Sequence, residues 1–226
     1  MFENIYILIP VFNEERQIKK VIEELSKTFK NIIVINDGST DKTEKILKTL
    51  NVIHLKHSIN LGQGAAISTG FKFIQKLKDA YAVVTFDADG QHSAKDAELF
   101  AKEILLCKEE IIFGSRFLDN KSNIPFIKKV VLSIVVMFTN ILSKINLTDA
   151  HNGLKAFKTS CLNKLDIDID GFGFESQIIH QASKKKITYK EMPTNTMYTT
   201  YSKKKGQRLI NGLIILEDLF KSRIKK

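Results

Sequence analysis

Two carboxylates, Asp87 and Asp89, stand one residue apart directly after the apolar run 82–86. Carboxylate oxygens suit a hard divalent cation such as Mg²⁺ or Mn²⁺. A cation held there can bridge a diphosphate and neutralise the charge of a nucleotide leaving group. A solvated turn or a helix cap is the alternative, because aspartate is common in both. The position after an apolar strand favours the metal site, and we expect His92 to be a turn-exposed or capping residue rather than a ligand.

Polar turns also follow three other predicted strands. Glu14 comes after the first strand and can bind ribose hydroxyls, and Asp37 comes after the second and can accept hydrogen bonds from a nucleobase. Arg116 follows the fifth strand, where it can make a bidentate contact to phosphate or form a surface ion pair. Taken singly, the turns at Glu14 and Asp37 are more often ordinary turns than ligand sites.

A glycine-containing loop, residues 60–66, precedes a predicted helix. Gly62 and Gly64 allow the backbone to approach a ligand closely. Ile67 occupies the position where a dinucleotide fingerprint has its third glycine, and the loop follows the third strand rather than the first. The pattern therefore argues against hydride transfer.

The first half of the chain alternates strands with helices. Apolar runs predict strands, and apolar residues spaced by three and four predict helices. The predicted strands are 5–9, 31–36, 52–55, 82–86 and 111–114. The predicted helices are 16–29, 41–50, 65–76 and a fourth that ends at Cys107. Asp41 and Glu44 are predicted to cap the second helix, and Ser93 and Asp96 the fourth. This order predicts an α/β fold with a mostly parallel sheet flanked by helices. Ligands bind such sheets at the carboxyl ends of the strands, which is where the polar turns lie.

The pattern changes after residue 120. The second half is predicted to contain an apolar helix over 126–145, a glycine-containing segment over 149–158, a helix over 174–184, strands over 187–192 and 196–201, and a last helix from about Gly206. No linker rich in Pro, Gly or Ser divides the chain. We therefore predict one domain over 1–226, with a nucleotide-binding half (1–119) and an acceptor-side half (120–226) that carries amphipathic helices.

Five motifs in this order resemble those of family 2 glycosyltransferases of the GT-A (Rossmann-like) fold. Within that family the chain is most similar to the dolichol-phosphate mannosyltransferase-like enzymes that use polyprenyl phosphate. The motifs are Pro10-Val11-Phe12-Asn13-Glu14, Asp37-Gly38-Ser39-Thr40, Asn60-x-Gly62-x-Gly64, Asp87-x-Asp89-x-Gln91-His92 and Gly114-Ser115-Arg116. The similarity weakens after residue 120.

The resemblance implies a set of site residues. The donor would contact Pro10, Phe12, Glu14, Asp37, Gly64, Asp87 and Asn152. Asp87 and Asp89 would hold Mg²⁺ or Mn²⁺, and the catalytic set would be Asp89, Gln91, Arg116 and Glu175. Residues 149–153 resemble the family's Asp-x-x-(Ser/Asn)-Gly segment beside the donor. The acceptor phosphate would lie near Lys128, Ser202 and Lys203, although residues 198–206 depart from the family's Gly-x-Ser-Lys form.

Such enzymes invert the anomeric centre, and the acceptor decides whether a base is needed. A phosphate acceptor is already anionic at neutral pH, so cationic positioning suffices. A hydroxyl acceptor needs a carboxylate to remove its proton. Glu175 is the candidate for that base, and stabilisation of a helix start is the alternative role for it.

The formal charge of +10 is compatible with a nucleic acid, an anionic membrane or a phosphorylated small molecule as partner. Leu209, Leu213, Leu216 and Phe220 share a helical stripe flanked by lysines and arginines, which predicts an amphipathic helix on an anionic membrane or one packed on the domain. The charge-free part of the apolar run 130–147 is too short to span a bilayer. We find no signal peptide and expect a peripheral enzyme at the cytoplasmic face of the membrane.

The leading hypothesis is transfer of a hexose from a GDP-mannose or UDP-glucose type donor to polyprenyl phosphate. Transfer to a sugar hydroxyl during surface glycan assembly is the second hypothesis. A basic nucleotide- or nucleic-acid-binding protein is a third, from a different class. Acidic turns at three strand ends would repel a nucleic-acid backbone in the absence of metal, so we expect no nucleic-acid partner.

Overall fold

Seven strands form one mixed sheet. The computed structural model describes residues 2–119, 124, 126–168 and 173–196, with the backbone alone for 126–128. The strands are β1 (Ile5–Val11), β2 (Asn31–Asp37), β3 (Ile53–His57), β4 (Ala82–Thr85), β5 (Ile111–Ser115), β6 (Lys155–Lys158) and β7 (Tyr189–Pro193). Their spatial order is β3-β2-β1-β4-β6-β5-β7.

All neighbouring strands are parallel except at β6. Strands β3, β2, β1 and β4 pair in parallel, as do β5 and β7, whereas β6 is antiparallel to both β4 and β5. Every residue of β1 and β4 is buried, which accounts for their continuous apolar sequence. The predicted α/β fold with a mostly parallel sheet is confirmed.

Helices cover both faces of the sheet. They are α1 (Ile18–Ser26), α2 (Thr43–Leu47), α3 (Gln63–Ile74), α4 (Ala94–Leu106), α5 (Phe126–Ser143), α6 (Thr159–Leu162) and α7 (Phe174–Lys184). Side chains from α1 and α4 contribute to one buried apolar cluster, and side chains from α3 and α7 contribute to the other. The bounds of α7 agree with the predicted helix.

The two predicted helix caps have different outcomes. Ser93 caps α4 as predicted, because its Oγ accepts a hydrogen bond from Asp96 N at 3.0 Å. The capping pair at α2 forms only in part. Asp41 accepts a hydrogen bond from Thr43 N at 2.9 Å, whereas the Glu44 carboxylate pairs with lysine side chains instead of reaching back to the backbone.

Among the described strands, β6 is the one that was not predicted from the sequence. It lies within the segment 149–158, which was predicted only as glycine-containing. The strand has four residues with a lysine at each end, so its local apolar pattern is weak. Its pairing with β4 and β5 is a long-range contact that no local pattern encodes.

Helix α5 has one buried face and one exposed face. Leu132, Val135 and Val136 are buried, whereas an outward stripe of Val130, Ile134, Met137 and Ile141 is 43–65% exposed. Among the described residues, no helix combines the length and apolarity needed to cross a membrane. The amphipathic helix predicted from Gly206, and all but the first residue of the strand predicted over 196–201, lie outside the described residues.

Phe157 tests the contribution of β6 to stability. It is fully buried and packs edge-to-face against Phe71, with ring centroids 5.1 Å apart. We expect Phe157→Ala to lower the free energy of unfolding by about 3–5 kcal/mol, because it removes apolar contacts and leaves a cavity. Leu106, which is 81% exposed, is the control, and Leu106→Ala should change that free energy by about 0.5 kcal/mol or less in urea unfolding. Equal effects of the two substitutions would contradict a core role for β6.

Candidate active site

A cavity of about 430 Å³ opens at the edge of the sheet where β1, β2 and β4 end. Side chains that were predicted as site residues, from six separate segments, meet in its wall. They are Pro10, Phe12, Glu14, Asp37, Asp87, Asp89, Gln91, Arg116, Asn152 and Glu175. The expectation that polar turns gather at the carboxyl ends of the strands therefore matches the observed geometry.

The remaining predicted residues do not contribute described side chains to this wall. Gly64 is buried within the first turn of α3, and its neighbours Gly62 and Gln63 form the wall instead. The side chain of Lys128, and Ser202 and Lys203, lie outside the described residues. Their assignment to the acceptor phosphate therefore stays a prediction.

The turns after β1 and β2 are tied together by Asn13. This residue adopts a left-handed conformation with φ of 54°, a conformation that asparagine tolerates better than most residues. Its Oδ1 accepts hydrogen bonds from Thr40 N (2.8 Å) and Asp41 N (3.3 Å). Glu14 N in turn donates to Thr43 Oγ1 at 2.9 Å. These bonds hold the Glu14 segment against the segment that follows Asp37.

Asp37 already carries several hydrogen bonds from the protein. Its carboxylate accepts from Leu61 N at 2.9 Å and from Gly62 N at 2.8 Å. The His57 ring is 2.7 Å from Asp37 Oδ1 and also contacts Thr69 Oγ1. Asp37 therefore anchors the glycine-containing loop as well as lining the cavity. His57 was not predicted as a site residue, because a lone histidine in this position gives no sequence signal of a binding role.

Asp87 is held on three sides. Gln63 Nε2 donates to its Oδ1 at 3.2 Å, and His92 Nε2 lies 3.5 Å from its Oδ2. A methyl group added at Gly153 would come within 2.0 Å of that same Oδ2. Burial by itself raises the pKa of the Asp87 carboxyl, but His92 and nearby cationic side chains outweigh burial and keep that pKa below its usual value. Asp87 is therefore an anion in a fixed orientation.

Asp89 is oriented by Gln91. The Gln91 backbone N–H donates to Asp89 Oδ1 at 2.9 Å, and Gln91 Nε2 donates to Oδ2 at 2.7 Å. Burial and the neighbouring Asp87 anion raise the pKa of Asp89 to about 6. The two carboxylates thus share a site with uncompensated negative charge, which a bound cation would offset.

The carboxylates of Asp87 and Asp89 are ligands of the kind that Mg²⁺ and Mn²⁺ prefer. Among the described residues, no group of three or more His, Cys, Asp and Glu side chains is arranged to hold a metal ion. Cations of this kind commonly use one or two carboxylates and complete their coordination with water and substrate phosphates. Asp87 and Asp89 would suffice as the protein ligands of such a cation.

Arg116 makes a buried ion pair. Its Nε is 2.6 Å from Asp149 Oδ2, and one terminal guanidinium nitrogen donates to Asp149 Oδ1 and to the His151 carbonyl, both at 2.8 Å. Sequence analysis had left open a surface ion pair or a phosphate contact. The pair is buried rather than on the surface, and Arg116 also lines the cavity, so the phosphate contact stays a prediction.

Lys155 and Glu175 form a second buried ion pair. Lys155 belongs to β6, and its Nζ also donates to the carbonyl of Asn152. Burial raises the pKa of Glu175, and the adjacent Lys155 offsets part of that rise. Sequence analysis selected Glu175 but missed Lys155, because one lysine in a lysine-rich chain carries no local signal of burial.

Two histidines lie at the site, of which His92 is buried and His151 is half-buried. His92 is 7% exposed and packs against Phe86 at a ring-centroid distance of 5.9 Å. The expectation of a turn-exposed residue was therefore wrong, because His92 packs against Phe86, and the residue that caps α4 is Ser93. Burial and the nearby Lys155 lower the pKa of His151 to about 3, so His151 is neutral at pH 7.

Gly153 provides a direct test of how closely the protein confines Asp87. We expect Gly153→Ala to weaken Mn²⁺ binding by about tenfold or more, because the new methyl group would displace the Asp87 carboxylate. The affinity can be measured from the electron paramagnetic resonance signal of free Mn²⁺, with circular dichroism as the check on folding. A folded variant with the wild-type affinity would contradict the close contact.

Comparisons with known proteins agree with this geometry. The model of the family described as "Glycosyl transferase family 2" matches residues 6–165. The UDP-N-acetylglucosamine–dolichyl-phosphate N-acetylglucosaminyltransferase of Methanococcus voltae is 35% identical over 98% of this chain and 97% of its own length. A dolichyl-phosphate beta-glucosyltransferase of Trichomonas vaginalis is 29% identical over 69% of this chain and 53% of its own length.

Solved structures give the same fold. Glucosyl-3-phosphoglycerate synthase from Mycobacterium tuberculosis, in complex with UDP, superposes with a TM-score of 0.71 over 97% of this chain and 79% of that chain, at 16% identity. Another structure of that enzyme, with Mn²⁺, UDP and phosphoglyceric acid, gives a TM-score of 0.67 over 96% and 78% of the two chains, at 15% identity. The chain therefore belongs to glycosyl transferase family 2, and it is a glycosyltransferase with the GT-A fold.

Proposed function

We propose that this enzyme transfers a hexose unit from a UDP-sugar to a polyprenyl phosphate, with inversion at the anomeric carbon. The observation that carries the proposal is the single cavity in which Asp87 and Asp89 face Glu14, Asp37 and Arg116. The names of the relatives from Methanococcus voltae and Trichomonas vaginalis support dolichyl phosphate as the acceptor class. The first of those names also favours UDP over GDP as the nucleotide.

The donor is assigned to the cavity by charge and chemistry. Glu14 and Asp37 offer carboxylate acceptors for ribose hydroxyls and a base N–H. Asp87 and Asp89 hold Mg²⁺ or Mn²⁺, which supplies charge neutralisation of the departing nucleoside diphosphate. Gln91 keeps Asp89 in orientation and lies beside the donor sugar. Pro10, Phe12 and Asn152 complete the donor wall.

The ion pair between Glu175 and Lys155 supports a phosphate as the acceptor. A hydroxyl acceptor requires a general base, and Glu175 is the candidate for that role. Its carboxylate is engaged by Lys155 in a buried ion pair, so taking a proton from a hydroxyl would cost part of that pairing. A phosphate acceptor needs no base, only cations such as Arg116, Lys128 and Lys203 to position it, with Ser202 beside them.

A lipid acceptor requires contact with a membrane surface. The outward stripe of α5, formed by Val130, Ile134, Met137 and Ile141, exposes apolar side chains along one helix face. Such a face can lie in the interface of a bilayer. We therefore propose a peripheral enzyme at the cytoplasmic face of the membrane, with one domain over 1–226 whose first half (1–119) binds the donor and whose second half (120–226) binds the acceptor.

A donor and acceptor panel tests the proposed reaction. We expect Mn²⁺-dependent transfer from a UDP-sugar to a short polyprenyl phosphate, and much weaker transfer from GDP-sugars. Transfer to sugar hydroxyls alone would support the second hypothesis and a base role for Glu175. Absence of metal-dependent turnover with every donor would overturn the proposal.

Asp89→Asn tests the metal ligand. We expect a loss of about 100-fold or more in transfer rate, because the charge that holds the cation is halved at the two-carboxylate site. Asp166→Asn is the matched control: it removes one charge from an exposed aspartate that lies outside the cavity wall. Similar rates in the two variants would contradict the assignment of Asp89.

Ile141→Glu tests the membrane face. Ile141 is 65% exposed on the α5 stripe. We expect about 30-fold or more weaker binding to anionic liposomes that contain polyprenyl phosphate, because the substitution removes roughly 2 kcal/mol of apolar burial and adds a repelled charge. Leu106→Glu, at an exposed leucine of α4, is the matched control in the same sedimentation measurement. If both variants bind as wild type does, the stripe is not the contact surface.

A further inference from the structure

The buried ion pair between Lys155 and Glu175 has no role in the reaction proposed above. Both side chains are at least nine-tenths buried. Removing two charges from water costs free energy that their mutual attraction often does not recover. The two residues line a small void of about 10 Å³ beside the main cavity, with which it shares Asp87, Gly153 and Glu175. The pair therefore lies directly behind the candidate metal ligand.

Lys155 also fixes the backbone that confines Asp87. Its Nζ donates to the carbonyl of Asn152, on one side of Gly153. Thr85 Oγ1 donates to the carbonyl of Gly153 itself at 2.8 Å. The backbone at 152–153 is thus held by a donor from β6 and a donor from β4. Since Gly153 is in contact with the Asp87 carboxylate, a shift of this backbone would change the orientation of that carboxylate.

Two possible roles of Lys155 predict opposite effects on a cation. If Lys155 acts on the site through its charge alone, its removal makes the site more negative and should tighten cation binding. If Lys155 acts by holding the backbone at 152–153, its removal releases the Asp87 carboxylate and should weaken cation binding. The short path from Lys155 through Asn152 and Gly153 to Asp87 favours the second role.

We propose that Lys155 is a positioning residue for the metal site: by bonding the Asn152 carbonyl and Glu175, it sets the orientation in which Asp87 binds the divalent cation. This inference rests on the proposed metal-dependent function and adds a residue that contacts neither the donor nor the cation. It also gives the buried Glu175 a structural role, as the ion-pair partner of Lys155, whether the acceptor is a phosphate or a hydroxyl.

The test is Mn²⁺ affinity, measured from the electron paramagnetic resonance signal of free Mn²⁺ for full-length variants. We expect Lys155→Met to weaken binding about 10- to 100-fold, the usual effect of removing a partner that orients a metal ligand. Lys155→Met combined with Glu175→Gln should be weakened similarly, because the Asn152 carbonyl still lacks its donor. If Lys155→Met alone fails to fold, the double variant is measured in its place, because the double variant leaves no unpaired buried charge.

Lys158→Met is the matched control. Lys158 belongs to the same strand, but its Nζ donates to the carbonyls of Cys107 and Lys108, outside the cavity wall. We expect Lys158→Met to bind Mn²⁺ as the wild type does, which would separate loss of positioning from general weakening of β6.

Three results would overturn the inference. Unchanged or tighter Mn²⁺ binding by folded Lys155→Met would show that Lys155 does not position Asp87. Recovery of the wild-type affinity in the double variant would show that Lys155 serves only to balance Glu175. Failure of the wild type to bind Mn²⁺ would remove the proposed metal site itself, and this inference with it; wild-type binding with unaffected variants would remove the inference alone.

Discussion

The direction of β6 is the constraint on which the site depends. This strand runs antiparallel between β4 and β5, so its first residue lies at the edge where the parallel strands end. The segment that leads into β6, residues 149–153, is thereby brought beside Asp87. A parallel strand in the same place would have delivered that segment to the far edge of the sheet. One reversed strand therefore completes a cavity whose other walls come from parallel strand ends.

Buried charge around the cavity is balanced pair by pair. Arg116 neutralises Asp149, and Lys155 neutralises Glu175, with each pair buried in protein. Asp87 has His92, 3.5 Å away, as a basic neighbour, and Asp89 is hydrogen-bonded by the neutral Gln91. Burial and the neighbouring Asp87 anion together raise the pKa of Asp89 to about 6. Arg116 and Glu175 thus line the cavity with their charges already paired, whereas Asp87 and Asp89 face the space where a cation and a diphosphate would bind.

Much of this arrangement could be predicted from the sequence, for reasons that differ between regions. Strands β1 and β2 are buried on both faces, so their apolar runs are unbroken and their ends are marked by polar turns. The Asp87–Asp89 pair was recognisable because both the strand and the turn are encoded locally. Strand β6 and Lys155 were not predicted, because the strand is short and has a lysine at each end. Its burial results from pairing with β4 and β5, which the local sequence does not encode. The burial of His92 likewise results from its packing against Phe86, which could not be predicted from the residue types alone.

The link that Asn13 makes between the turns after β1 and β2 has a consequence for how such chains can diverge. Because its side chain bonds the backbone of the second turn, neither turn can gain or lose a residue independently of the other. Changes in loop length should accumulate instead at the opposite edge of the sheet, where the connection 76–81 between α3 and β4 contributes nothing to the cavity wall.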